Sequence, residues 1–231
     1  RRRHTRYPLV TGVQTCALPI LVKRHFDAVS LANNHTGDFG RQALVQMLRE
    51  IDVTGLGRFG AGLDLQGAHQ PWIVERQGLK IAFLGYNEFF PRSFEADYDR
   101  PGVAWSDDDQ VVLDIQWARA RWGADVVIPF MHWGVEYEPL ASDRQRLLAQ
   151  RMIDAGADAV VGTHPHVTQQ VETYKGKPIF YSLGNFVFDG FTRPEHNTGW
   201  LLSLRVDRQG VRDWRIHKAR LDKEGSPHPA P

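Results

Sequence analysis

Histidine and asparagine at three places in this chain define the chemistry it can do. His132 stands in MHWGVEY, His164 and His166 flank a proline in GTHPH, and Asn33, Asn34 and His35 run together in SLANNHTGD. Imidazole is the commonest protein metal ligand, and a neutral Asn adds a carbonyl oxygen. Mixed nitrogen and oxygen donors suit Zn, Mn or Fe better than a thiolate-seeking ion. In an extended segment residues two apart point the same way, so the rings of His164 and His166 are expected to face one cluster. A lone His-x-His carries little weight; joined to His132 and Asn34 it becomes a candidate divalent-metal site. The remaining histidines, His4, His25, His69, His196, His217 and His228, are expected to be surface or packing residues.

Those residues need elements that bring them together. FDAVSLA reads as a buried strand, followed by GRQALVQMLREI with Ala43, Leu44, Met47, Leu48 and Ile51 at helical spacing. LKIAFLGYN is a second strand. SDDDQVVLDIQWARARWG opens on a Ser/Asp cap and an acidic turn, places Val111, Ile115, Ala118 and Trp122 on one face, and ends at Gly123. DVVIPFMHWG is the next strand. SDRQRLLAQRMIDAG is a helix capped at Ser142 or Asp143 and stopped at Gly156, and DAVVGTHPH follows it as the next strand unit. PIFYSLGNFVF and TGWLLSLRVD read as strands, and DRQG as a hairpin turn into VRDWRIHKARL. The Pro-rich tail, residues 223–231, is expected to be flexible. This alternation implies one α/β domain over residues 21–222. Three of its apolar strands run straight into Asn33-Asn34-His35, His132 and His164-Pro165-His166. Open α/β sheets bind ligands beyond the carboxyl ends of their strands.

Other polar residues near these strand ends have both a functional and a plain reading. Asn33 and Asn34 also suit a turn with left-handed geometry, and Asp38 suits a helix N-cap. Glu136 and Tyr137 suit an ion pair and a packing ring, and Gly184-Asn185 suits a bulge or turn. RFGAGLD is rich in glycine but lacks the Lys-Ser/Thr of a phosphate-binding loop, so it is read as a loop.

Composition narrows the classes. The chain has 231 residues, enough for one domain with a substantial core. No apolar run approaches the roughly 18 residues of a membrane helix. Cys16 is the only cysteine, which rules out an internal disulfide framework. It lies in the leader RRRHTRYPLVTGVQTCALPI, whose VTGVQTCALPI portion resembles the in-frame translation of a common sequencing adapter. Residues 1–20 are therefore expected to be non-native. Setting them aside removes four Arg and no acid, so Lys+Arg falls from 28 to 24 against 27 Asp+Glu, and the net charge moves from +1 to −3. No basic stripe remains, and no nucleic-acid partner is expected.

The motifs SLANNHTGDFG, MHWGVEYEP, GADAVVGTHPHVTQQVE and KPIFYSLGNFVFD, in that order, resemble the CapA family of poly-γ-glutamate capsule synthesis proteins. That family is similar in fold to the calcineurin-like metallophosphoesterases, and the resemblance covers about residues 26–189. It implies a four-layer α/β/β/α sandwich with a dinuclear metal centre. By the resemblance Asn34, His132 and His164 ligate one ion and His166 the other, while His35 assists the leaving group as general acid. Asn33, Asp38, Glu136 and Asn185 are expected to support the ligands or face the substrate. The implied chemistry is two-metal phosphoester hydrolysis, with Mn, Fe or Zn as the divalent ions.

The family pattern also has an early strand ending in Gly-Asp and an Asn-Leu-Glu segment that supply acidic ligands. The leader stands where they belong. The chain is accordingly expected to be N-terminally truncated, to bind metal weakly, to show little activity and to expose a sheet edge. Expected partners are an anionic polymer or phosphoester substrate and membrane-bound capsule synthesis components, at the bacterial cell surface and outside the cytoplasm. Two other functions fit the same residues. One is a non-catalytic polymer-handling component. The other is a single-zinc amide hydrolase using His132, His164 and His166 with Glu136 as base.

Overall fold

The structure is a computed structural model that describes residues 21–90, 92–188, 191 and 193–231. The leader and its adapter-like reading lie outside the described residues. In chain order the elements begin with β1 (Ala28–Ser30), α1 (Gly40–Thr54), β2 (Gly57–Phe59), β3 (Ala61–Gly62), α2 (Leu65–His69), β4 (Trp72–Arg76) and β5 (Leu79–Asn87). Next come β6 (Gly102–Val103), α3 (Asp108–Ala120), β7 (Val126–His132), α4 (Asp143–Ala155), β8 (Val160–Thr163), β9 (Val171–Tyr174) and β10 (Lys177–Phe180). The chain closes with β11 (Thr198–Asp207), β12 (Gly210–Leu221) and β13 (Pro227–Pro229).

The central sheet has six strands in the order β4-β5-β7-β8-β10-β9. Its interior pairs are parallel, and the edge strands β4 and β9 run antiparallel to their neighbours. Strand periodicity divides its side chains between two cores. Ala82, Leu84, Tyr86, Val127, Met131, Ile179 and Tyr181 face α3 and α4, where they meet Val111, Ile115, Leu148, Ala149 and Met152. Ile81, Phe83, Val126, Ile128, Phe130 and Phe180 face the other way, against Leu202, Leu204, Val206 and Ile216 of the β11-β12 hairpin.

The parallel pair β1-β2 lies on this second side as well, with Phe59 packed on Phe83 and Phe130 at ring-centroid distances of 6.0 and 5.6 Å. Ser30 turns toward Gly85, whereas Val29 turns outward onto Leu44, Leu48 and Ile51 of α1. The layers are therefore α3/α4, the six-stranded sheet, a second β layer, and α1: the expected α/β/β/α order.

Helix ends follow local chemistry. In α4, Ser142 accepts from the Gln145 backbone N–H and the Gln145 side chain returns to Ser142, a capping box; Gly156 closes the helix at φ 115°. At α3 the N-cap is Asp107, without a side-chain bond, and the neighbouring Ser106 donates its hydroxyl to Glu88 at 2.7 Å. Trp122 lies beyond the end of α3 and does not join its buried face. PIFYSLGNFVF is strand only as far as Phe180, since Gly184 adopts φ 69° and turns the chain. The tail, expected to be flexible, contributes β13 beside β12; its prolines fit because this is an edge position. Among the described residues no helix is long and apolar enough to cross a membrane.

Candidate metal centre

The carboxyl ends of β5, β7 and β8 are aligned by register. Asn87 pairs with His132, and His132 pairs with Thr163, so the residues that follow emerge on one rim. The loop after β1 reaches the same rim. There Asn34 Oδ1 lies 2.8 Å from His132 Nε2, and His164 Nδ1 lies 3.1 Å from the same nitrogen. The other His132 nitrogen, Nδ1, is 3.2 Å from Thr163 Oγ1. Phe89, just past β5, covers His164 with ring centroids 4.6 Å apart.

Burial sets the charge state of both rings. Loss of water, reinforced by His164, His166 and His35, pushes the His132 imidazole down to about 3. Burial likewise lowers His164 to about 4, against the opposing pull of Glu136 and with help from His166 and His35. Near neutral pH both rings are uncharged and keep a lone pair.

Three atoms able to donate lone pairs thus converge at the rim, and His164 Nε2 is buried without a hydrogen-bond partner. This donor set fits a divalent cation, which satisfies converging lone pairs where protons cannot. Among the described residues no three His, Cys, Asp or Glu side chains converge by themselves; the third donor is the Asn34 amide oxygen.

The HPH segment is not extended, contrary to the expectation from its spacing. His164 and His166 have φ of 99° and 60°, and nearby Tyr137 has φ 68°. Positive φ in residues of this kind is strained and is held by the surrounding structure. The two rings consequently diverge to 6.2 Å, and His166 Nδ1 meets Asn185 Oδ1 at 2.8 Å rather than joining His132. Tyr137 stacks on His196 at 4.4 Å, and Phe188 and Phe191 pack on His166 at 4.9 and 5.3 Å.

The remaining candidates resolve into specific contacts. Asn33 Oδ1 accepts from the His35 backbone N–H at 2.8 Å, closing a turn, and neither Asn33 nor Asn34 has positive φ. Asp38 does not cap α1, whose N-cap is Phe39; it takes His35 Nδ1 at 2.9 Å. Glu136 is exposed and its charge acts on His164. Thr163 and Phe89 were not anticipated from sequence. Their signal was positional, since each sits beside a strand end already expected at the rim.

The profile of the family described as "Bacterial capsule synthesis protein PGA_cap" matches residues 2–190. The "PGA biosynthesis protein CapA" of Bacillus subtilis (strain 168) is 41% identical over 197 residues, covering 84% of this chain and 51% of that protein. The "Capsule biosynthesis protein CapA" of Bacillus anthracis is 35% identical, covering 88% and 50%. The chain spans about half the length of these curated relatives. Among solved structures, the sulfate thiohydrolase SoxB of Thermus thermophilus superposes with TM-score 0.60 at 15% identity, over 91% of this chain and 35% of that one. The NAD nucleotidase NadN of Haemophilus influenzae gives 0.59 at 13%, over 96% and 42%. Both likenesses are of fold alone. By profile and by relatives, this chain belongs to the PGA_cap family of bacterial capsule synthesis proteins.

Proposed function

We propose that this chain is a metal-dependent phosphoester hydrolase domain serving poly-γ-glutamate capsule synthesis. The observation that carries the reading is the meeting of Asn34 Oδ1, His132 Nε2 and His164 Nδ1 at 2.8 and 3.1 Å. These three residues hold one divalent cation, and His166 serves its neighbour. When bound, the cations polarise a phosphoryl oxygen and supply hydroxide near neutral pH.

The chain's own residues do the rest. Uncharged His132 and His164 offer lone pairs without first losing a proton. Phe89 shields His164 from water. Asp38, 2.9 Å from His35 Nδ1, orients that ring, and when the imidazole carries both protons its Nε2 delivers one to the leaving oxygen. Exposed Glu136 lies on the substrate side. The relatives are named for PGA and capsule biosynthesis; in this proposal the substrate is an anionic polymer or a phosphoester met at the cell surface, and the partners are membrane-bound synthesis components. The cation is Mn, Fe or Zn. The three-histidine zinc amidase is disfavoured, because the His166 ring stands 6.2 Å from that of His164 and does not join His132.

The test is hydrolysis of a phosphodiester by the chain supplied with excess Mn or Zn. Cleavage that disappears in His35→Ala and His132→Ala supports the proposal. Metal binding without cleavage transfers the chain to the polymer-handling reading, and absence of both overturns each.

A further inference from the structure

The side chain of Asn185 is 5% exposed and fully committed. Its amide nitrogen donates to two backbone carbonyls, His166 O at 3.1 Å and His196 O at 2.7 Å. A carbonyl can only accept, so the amide cannot be flipped without setting oxygen against oxygen. Its backbone is pinned as well, with the Asn185 N–H donating to Thr198 O at 3.1 Å. Gly199 leaves the room this requires, since a Cβ there would overlap the Asn185 carbonyl.

One atom of Asn185 remains, Oδ1, and it stands 2.8 Å from His166 Nδ1. An amide oxygen has no proton to give, so the proton in this contact belongs to His166. We propose that Asn185 is the positioning residue that locks neutral His166 in its Nδ1–H tautomer and thereby presents Nε2 as a bare lone pair. Which nitrogen of a histidine is free to ligate is set by the bond the other one makes. Phe188 and Phe191, packed on the ring, hold its plane while Asn185 fixes its polarity. The two parts of Asn185 therefore have separable effects: the amide NH₂ ties the loop down, and the oxygen selects the tautomer.

The tautomer is a property of the metal-free chain; only its consequence for affinity rests on the metal-centre reading. Imidazole nitrogen NMR of the 15N-labelled chain at pH 8, with His166→Gln assigning the signal, reads the tautomer directly. Wild type is expected in the Nδ1–H form. Asn185→Ala should release the ring to Nε2–H or a mixture and weaken Zn or Mn binding about 10–100-fold. Asn185→Asp keeps an acceptor facing Nδ1 but sets its second oxygen against the His166 and His196 carbonyls, so it should loosen the loop and yet retain the Nδ1–H form. A purely structural clamp would instead make Asp as damaging as Ala. An Nε2–H ring in wild type, or an Nδ1–H ring that persists in Asn185→Ala, overturns the proposal. A wild-type chain with the Nδ1–H ring that binds no metal leaves the tautomer lock intact and rejects the metal reading instead.

Discussion

Asn34 Oδ1 and His132 Nε2 lie 2.8 Å apart although 98 positions separate them in the chain. One residue follows β1 in the second β layer, and the other ends β7 in the centre of the main sheet. Their contact therefore reports the stacking of two layers, and the candidate centre exists only when that stacking is in place.

His35 and Asp38 form an exposed pair beside this contact, with side chains 72% and 50% accessible. Such a pair adds little to stability. Its worth is in orienting the ring. Asp38→Asn is expected to lower phosphodiester turnover about tenfold, with metal affinity unchanged. Removing the acid itself, in His35→Ala, should cost about a hundredfold or more. Equal loss of metal affinity in Asp38→Asn would show that the pair shapes the site rather than the proton transfer.

The buried rings make the metal-free chain sensitive to acid. His132 and His164 have folded-state values of about 3 and about 4, below the ordinary 6.5 of an unfolded chain. Above pH 6.5 neither state binds the proton and stability is unaffected. As pH falls below that value the unfolded chain takes up protons that the folded one refuses, so stability drops by on the order of 1 kcal/mol per pH unit for each ring. The loss should level off once the folded values are passed. Urea titrations from pH 7 to 4 check this, and His132→Gln should flatten the slope. A slope unchanged in that variant would place the acid sensitivity elsewhere.

Gly162 precedes Thr163 where β8 passes between β7 and β10. A Cβ there would overlap the Tyr181 carbonyl and crowd the Trp133 indole, both fully buried. Neither group has space to retreat. Gly162→Ala is expected to destabilise the fold by at least about 2 kcal/mol in urea unfolding and to loosen the rim that carries His164. A change below about 0.5 kcal/mol would mean that the sheet yields more easily than its packing indicates.

Much of this architecture could be read from residue pattern. LKIAFLGYN matches β5 and TGWLLSLRVD matches β11 residue for residue, because each has a long, regular run bounded by turn residues. The α4 cap was one of the two residues read from sequence, Ser142 or Asp143, and is Ser142; its return partner Gln145 was not read. WIVER and VETY, the edge strands β4 and β9, went unnoticed because they are short and mix polar with apolar residues. At the site, strand ends pointed to Asn34, His132 and His164. The divergence of His166 did not follow from spacing, since it depends on positive φ at His164 and His166, and residue type alone does not predict such strain. The tie from Asn185 to His166 joins residues 19 positions apart, and nothing in the stretch between them announces it.

The most direct test is calorimetric titration of the metal-free chain with Zn and with Mn at pH 7.5, beside His132→Ala and His164→Ala. The donors at the rim are uncharged, and no carboxylate is among them, so weak binding is expected, and the cation held by Asn34, His132 and His164 is lost in both variants. Binding of equal strength in either variant, or none in wild type, would contradict a metal centre built on Asn34, His132 and His164.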